Sequence, residues 1–211
     1  METYATKIRD RHHAGILLAE KLKFYPQKNT IVAAISKGGV IVAQPISATL
    51  CMPLKVIPCK RITHPSNECK TIGAVCPNNV TVYSHAHDLP QDYIEHHVHI
   101  LQNELRKEMQ YYSENSESVP IEGKNVILVD DLMITGNTMM ASLVELRKRN
   151  PCSIIVAAPF ISAEAHFFLE EFADEIVYLR METHVISPLD FYEIFTTVDQ
   201  FEVKQLIKNS R

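Results

Sequence analysis

Asn125-Val126-Ile127-Leu128-Val129-Asp130-Asp131-Leu132-Met133-Ile134-Thr135-Gly136-Asn137-Thr138 is the stretch that decides the fold. Aliphatic residues run into two adjacent carboxylates, a short Thr/Gly loop follows, and a helical pattern begins behind it. Strand, acid pair, loop and helix make one unit of an open α/β sheet, in which ligands bind outside the carboxyl ends of the strands. The N–H groups at a helix start have no intrahelical partner, and the helix dipole there favours an anion. Two carboxylates beside an anion site suit a ligand carrying vicinal hydroxyls and a phosphate, as a ribose 5-phosphate does. The plainer alternative is that Asp130 and Asp131 only end a strand and cap a helix. That alternative leaves Thr135-Gly136-Asn137-Thr138, a glycine set among hydroxyl and amide side chains, without a reason.

Working outward, the same alternation recurs on both sides. Asp10 is a plausible N-cap for a helix that places Ala14, Leu17, Leu18 and Leu22 on one face and is closed by Pro26. Residues 30–35 form a continuously apolar run suited to a parallel strand buried on both faces. A loop, Ser36-Lys37-Gly38-Gly39, leads into a helical stretch ending near Leu50, which Pro45 is expected to kink or shorten. A second strand is expected over 54–59. Residues 71–75 and 80–83 flank Cys76-Pro77-Asn78-Asn79 and predict a hairpin. Residues 90–112 predict a helix with Ile94, Val98, Leu101, Leu105 and Met109 inward, and a polar loop follows over 113–120.

Beyond the opening stretch, Arg147-Lys148-Arg149 suits the negative end of a helix that Asn150-Pro151 stops. Strands over 153–157 and 175–179, a helix over 163–172, and a mixed C-terminal part with Phe191, Tyr192 and Phe195 complete the chain. Alternating strands and helices imply a mainly parallel sheet with right-handed crossovers, an α/β fold with a Rossmann-like core. We expect a single domain over 1–211, with a core over about 10–180 and a small hood over about 181–211.

Composition narrows the function classes. The chain has 211 residues, 46% hydrophobic and 22% charged, enough for one well-buried core. A formal charge of -4 argues against nucleic acid and acidic membranes as partners. The apolar runs are too short to span a bilayer and no signal peptide is expected at the start. Five scattered cysteines fit reduced thiols in the cytoplasm better than a disulfide framework. The histidines at 85, 87, 96, 97 and 99 lack the spacing of a zinc site.

The segment 125–138 resembles the phosphoribosyl pyrophosphate (PRPP) signature of type I phosphoribosyltransferases. Arg9-Asp10-Arg11, Ala14-Gly15, Gly38-Gly39-Val40, Ile72-Gly73-Ala74-Val75 and Asp190-Phe191-Tyr192 are similar to a bacterial branch of predicted phosphoribosyltransferases with no assigned substrate. The resemblance implies that Asp130 and Asp131 hold the ribose hydroxyls and act in catalysis. It implies that Ile134, Thr135, Gly136, Asn137 and Thr138 hold the 5-phosphate. Ser36, Lys37, Gly38 and Gly39 would bind pyrophosphate, with Lys37 also catalytic and the basic pair Lys60-Arg61 nearby. Tyr192 is a candidate to contact a base from the hood. Mg²⁺ would be carried mainly by PRPP and water, near Asp130 and Asp131, with no direct protein cage.

Two departures matter. The related branch has Pro-Arg where this chain has Ser36-Lys37, and lysine keeps the charge but not the bidentate fork. Ile134 stands where relatives acting on 6-oxopurines carry an Asp, and an isoleucine cannot move a proton. The implied reaction is transfer of 5-phosphoribosyl from Mg-PRPP to a nitrogen nucleophile of the nucleobase kind, in a cytoplasmic homodimer. The alternative is a non-catalytic PRPP-sensing regulatory protein, which the Ser36-Lys37 departure keeps open.

Overall fold

Thr30–Ile35 (β1) is buried along its whole length, as a strand covered on both faces of a parallel sheet must be. In the computed structural model it lies inside a five-stranded sheet, with Leu54–Ile57 (β2) on one side and Asn125–Val129 (β6) on the other. Ser153–Ser162 (β7) and Glu175–Glu182 (β8) extend the sheet in the order β2-β1-β6-β7-β8, and every pairing is parallel. The structure describes residues 7–82, 89–113, 120–183 and 187–210, and the side chains at 36, 68–70, 81, 82 and 113 are also outside the description. His85, His87 and most of the loop expected over 113–120 therefore lie outside the described residues.

Side chains alternate across the sheet with period two. Ile31, Ala33, Val126, Leu128, Ile154 and Val156 face one layer, formed with Asn137–Arg147 (α4) and Ala163–Leu169 (α5). Val32, Ala34, Ile127, Val129, Ile155 and Ala157 face the other, formed with Arg11–Leu22 (α1), Ser36–Leu50 (α2) and Gln200–Lys208 (α6). Asp10 caps α1 as expected, its carboxylate accepting from the His13 N–H at 2.7 Å.

A small antiparallel sheet stands apart: Lys60–His64 (β3), Asn67–Cys76 (β4) and Asn79–Val82 (β5). It has three strands where the sequence suggested a hairpin, because β3 pairs with the outer edge of β4. Lys60-Arg61 thus opens a strand. Gln91–Ser113 (α3) packs Ile94 and Leu105 against Ile62, Ile72 and Val75.

Tertiary packing overrides local pattern at four places. Residues 36–39 are the first turn of α2, not a loop. Pro45 neither ends nor shortens α2. A Cβ on Gly15 would lie 2.4 Å from the Pro45 ring and 2.2 Å from the Val42 carbonyl oxygen. The close crossing of α1 and α2 packs the ring, and that offsets the roughly 3 kcal/mol a mid-helix proline costs. On α1, Leu17 is 38% exposed and Gly15 and Ala19 take its place in the buried face. On α3, Met109 is exposed and the buried seam passes through Glu108 and Tyr112.

The two ends of the described chain meet. Ile8 donates to the Phe191 carbonyl at 2.8 Å, Glu193 to Ile8 at 3.0 Å and Ile194 to Arg9 at 2.9 Å. Phe191 and Tyr192 are buried with Ala14 and Phe160, in offset and edge-to-face ring contacts worth about 0.5–1.5 kcal/mol each beyond area burial.

Candidate functional site

The strand order creates the site. From β1 the chain crosses through α2 to β2, and from β6 through α4 to β7 on the opposite flank. Neighbouring parallel strands whose continuations diverge leave a crevice at their carboxyl ends, the usual ligand position in such sheets. Into that crevice come the first turn of α2 and the segment 130–136.

The first turn of α2 is uncapped. Ile35, its N-cap, is extended (φ -85°, ψ 125°) and an isoleucine offers no side-chain acceptor. The leading N–H groups are therefore left for a ligand or water. Gly38 and Gly39 serve close approach, and neither has positive φ. A Cβ on Gly38 would lie 2.2 Å from Asp131 Oδ2, and one on Gly39 would lie 2.8 Å from the Val129 carbonyl oxygen. The Gly-Gly pair is what lets α2 touch the acid pair.

Beyond β6 the backbone is pinned to β7. Asp130 N–H donates to Ala157 at 3.1 Å, Met133 N–H to Phe160 at 3.0 Å, and Ser162 N–H to Met133 at 2.8 Å. Ser162 also caps α5, accepting from the Ala165 N–H, and its hydroxyl donates to the Ile134 carbonyl at 2.5 Å. The turn ends on Gly136, at φ 72°, in the left-handed region that favours glycine. As N-cap of α4 it has no side chain to offer, so a second helix start is left without a side-chain cap beside the first.

The two acids are unlike. Asp130 folds back, its Oδ1 accepting from the Asp131 N–H at 2.9 Å. Burial, and then the charge of Asp131, push its carboxyl well above the usual carboxylate range. Asp131 is held by Arg11, whose Nε lies 2.6 Å from Oδ2. Tyr192 donates its hydroxyl to the Asp131 backbone carbonyl at 2.9 Å.

A cleft of about 520 Å³ opens in front of Asp131, within the range of small-molecule sites. Lys37 and Gly38 of α2, Lys60 of β3 and Glu108 of α3 form one wall, and Arg11 with residues 195–198 forms the rest. Among the sequence candidates, Lys37, Gly38, Lys60 and Asp131 are thus brought together. Gly39, Arg61, Tyr192 and the turn 134–138 do not line the cleft. Arg61 alternates away from Lys60 along β3 and is exposed. Lys60 is paired with Glu104 at 2.5 Å. The side chain of Ser36 lies outside the description. Tyr192 is fully buried with its hydroxyl engaged, so it presents no face to a base; it props the Asp131 backbone.

The cleft also contains residues to which no motif assigns a role: Arg11, Glu108, Thr196, Thr197 and Val198. Arg11 stood in a quoted motif without a role. Glu108 was passed over because a search for apolar spacing prefers Met109, although 105, 108 and 112 share a helical face. The Tyr112 hydroxyl donates to Glu108 Oε1 at 3.1 Å. Burial and that carboxylate raise the Tyr112 phenol. Among the described residues, no group of three or more His, Cys, Asp or Glu is placed to hold a metal ion. No described helix is long and apolar enough to cross a membrane.

Known proteins share this fold. A Thermus thermophilus protein, TT1426, superimposes with a TM-score of 0.81 over 97% of this chain and 99% of its own, at 29% identity. A purine phosphoribosyltransferase of Pyrococcus horikoshii shares the fold, with a TM-score of 0.51 over 89% of this chain and 93% of its own, at 20% identity. A Mycobacterium tuberculosis protein, named only provisionally as a phosphoribosyl transferase, is 25% identical over 201 residues, 92% of this chain. The chain spans about half the length of that relative, 45%. A family model described as the phosphoribosyl transferase domain matches residues 7–176. With that match covering most of the chain, on a parallel sheet with an acid pair at its switch point, the protein belongs to the phosphoribosyl transferase domain family.

Proposed function

We propose that this chain transfers the 5-phosphoribosyl group of Mg-PRPP to a nitrogen nucleophile of the nucleobase class and releases pyrophosphate. The observation that carries the reading is the contact between the acid pair and the uncapped first turn of α2, at the edge of a cleft that also holds Lys37 and Lys60. The carboxylates accept the vicinal ribose hydroxyls. The 134–138 turn, with the start of α4, takes the 5-phosphate through its N–H groups. The first turn of α2, Lys37 and Lys60 take the diphosphate.

In this reading the bond between C1 of the ribose and the diphosphate oxygen breaks as the acceptor nitrogen supplies its electron pair to C1. The electron pair of the broken bond leaves on pyrophosphate. Positive charge builds at C1, and negative charge builds on the leaving oxygen beside the lysines and the helix start. The carboxylate oxygens of Asp131, which faces the cleft, suit Mg²⁺, which binds through one or two carboxylates, substrate oxygens and water. When bound, Mg²⁺ would share the charge of the diphosphate. Ile134 is 37% exposed and cannot transfer a proton, so any proton lost by the acceptor leaves by another group or by water.

Pyrophosphate release from Mg-PRPP, measured across a panel of purine and pyrimidine bases, tests the reading. Release with one class of base supports it. PRPP binding without release from any base would turn the assignment to the PRPP-sensing regulator, and no PRPP binding would remove both.

A further inference from the structure

We propose that Arg11 is a diphosphate-binding residue of this cleft, parked on Asp131 until the donor arrives. The inference rests on the PRPP reading and adds to it a residue that the motifs do not supply.

Arg11 is the first residue of α1, fixed in place by the Asp10 cap. Its side chain is 9% exposed and held on three sides. Nε meets Asp131 Oδ2 at 2.6 Å, a terminal N–H donates to the Thr196 carbonyl at 2.7 Å, and the guanidinium carbon lies 3.7 Å from the centre of the Phe195 ring. The same Oδ2 atom is the one a Cβ on Gly38 would strike at 2.2 Å. Guanidinium, carboxylate and the first turn of α2 are therefore stacked in direct contact. An anion seated on the free N–H groups of that turn lies beside the guanidinium.

The cleft needs such a group. Lys37 and Lys60 are point charges and cannot present the two parallel donors that match a phosphate. A buried ion pair contributes little net stability compared with apolar packing, so stability alone does not account for the pair at this wall. Because Phe195 and Thr196 already order the guanidinium, little side-chain freedom is lost when it turns to the ligand. As the ribose hydroxyls donate to Asp131, the carboxylate no longer depends on Arg11, and the guanidinium moves its N–H groups to the diphosphate oxygens.

The test compares two probes on the full chain, inorganic pyrophosphate and ribose 5-phosphate, each titrated calorimetrically with Mg²⁺ into wild type, Arg11→Gln and Arg11→Lys. We expect Arg11→Gln to bind pyrophosphate about 10–100-fold more weakly, the range for loss of a charge-assisted phosphate contact. Ribose 5-phosphate, which has no diphosphate, should bind Arg11→Gln within about threefold of wild type or more tightly, since Asp131 is released. Arg11→Lys should recover part of the pyrophosphate loss, and it carries the test if the Gln variant does not fold. Equal weakening of both probes would make Arg11 a structural prop and overturn the proposal, as would unchanged pyrophosphate affinity. Wild type binding ribose 5-phosphate but not pyrophosphate would overturn it alone. Wild type binding neither would remove the PRPP reading with it.

Discussion

Replacing Gly38 by alanine should separate the site from its scaffold. The new Cβ would stand 2.2 Å from Asp131 Oδ2 and 2.6 Å from its Cγ, whereas heavy atoms rest comfortably at about 3.5 Å. The carboxylate must retreat by about 1 Å, and it can, because it is the tip of a side chain. Retreat takes it off Arg11 and out of line with a ribose bound at the switch point. Overpacking costs about 1–3 kcal/mol, and alanine regains up to about 1 kcal/mol over glycine inside a helix. The melting temperature should therefore fall by only a few degrees, roughly 4–8 °C per kcal/mol at small domain sizes and less for a chain this long. Hydrogen bonds to a charged group are worth about 1.5–3 kcal/mol, so losing the Asp131 contacts with the ribose hydroxyls is worth on the order of 100-fold in affinity. We expect calorimetric PRPP affinity to drop by about that factor in a protein that still melts cooperatively.

Gly39→Ala supplies the contrast. Its Cβ would lie 2.8 Å from the Val129 carbonyl oxygen and 3.4 Å from Asp130 Cα, both backbone atoms at the end of β6. A buried central strand cannot retreat alone, so this variant should lose the full overpacking cost of about 1–3 kcal/mol in stability. Gly38→Ala binding PRPP within threefold of wild type, or Gly39→Ala melting as high as wild type, would refute the reasoning about this contact.

Two further outcomes follow from the acid pair. Burial raises the Asp130 carboxyl in the native state, so the native protein holds that proton to higher pH than the unfolded chain does. Its contribution is therefore most favourable below the ordinary carboxylate range and declines as pH rises through the native value. Asp130→Asn should raise the melting temperature at neutral pH, with the gap closing in acid; a gap independent of pH would contradict the assignment. Tyr192→Phe removes a buried hydroxyl that donates to the Asp131 carbonyl at 2.9 Å. Denaturant unfolding should show a loss of about 1–2 kcal/mol with an unchanged m-value, and a neutral result would mean the hydroxyl holds nothing.

Much of the fold was legible because the sheet strands are continuously apolar and short. β1 matched its expected ends, and β6 and β7 began within a residue of theirs, while β7 ran on to Ser162. That extension is apolar but crosses Pro159, which has no N–H to give a ladder; Met133 N–H and C=O pair with Phe160 and Ser162, so the partner segment carries the strand past the proline. β3 was missed for a similar reason. Lys60-Arg61-Ile62-Thr63-His64 reads as polar because Arg61 is exposed and only Ile62 reaches the core. Pro45 does not shorten α2, because a local rule about backbone donors cannot see the ring seated on Gly15.

Hydrophobic period, charge and missing side chains are local properties, so the strands of the parallel sheet, the acid pair at the end of one of them and the glycines ahead of it are legible in the residues themselves. Tertiary structure alone decided which groups share the cleft. Arg11, Asp131, Thr196 and Glu108 are separated by up to 185 positions along the chain. Their meeting depends on strand order and on the docking of both terminal segments over the switch point. No periodicity encodes that meeting, because a side chain's partner across the fold is set by where two backbones cross and not by its neighbours in sequence.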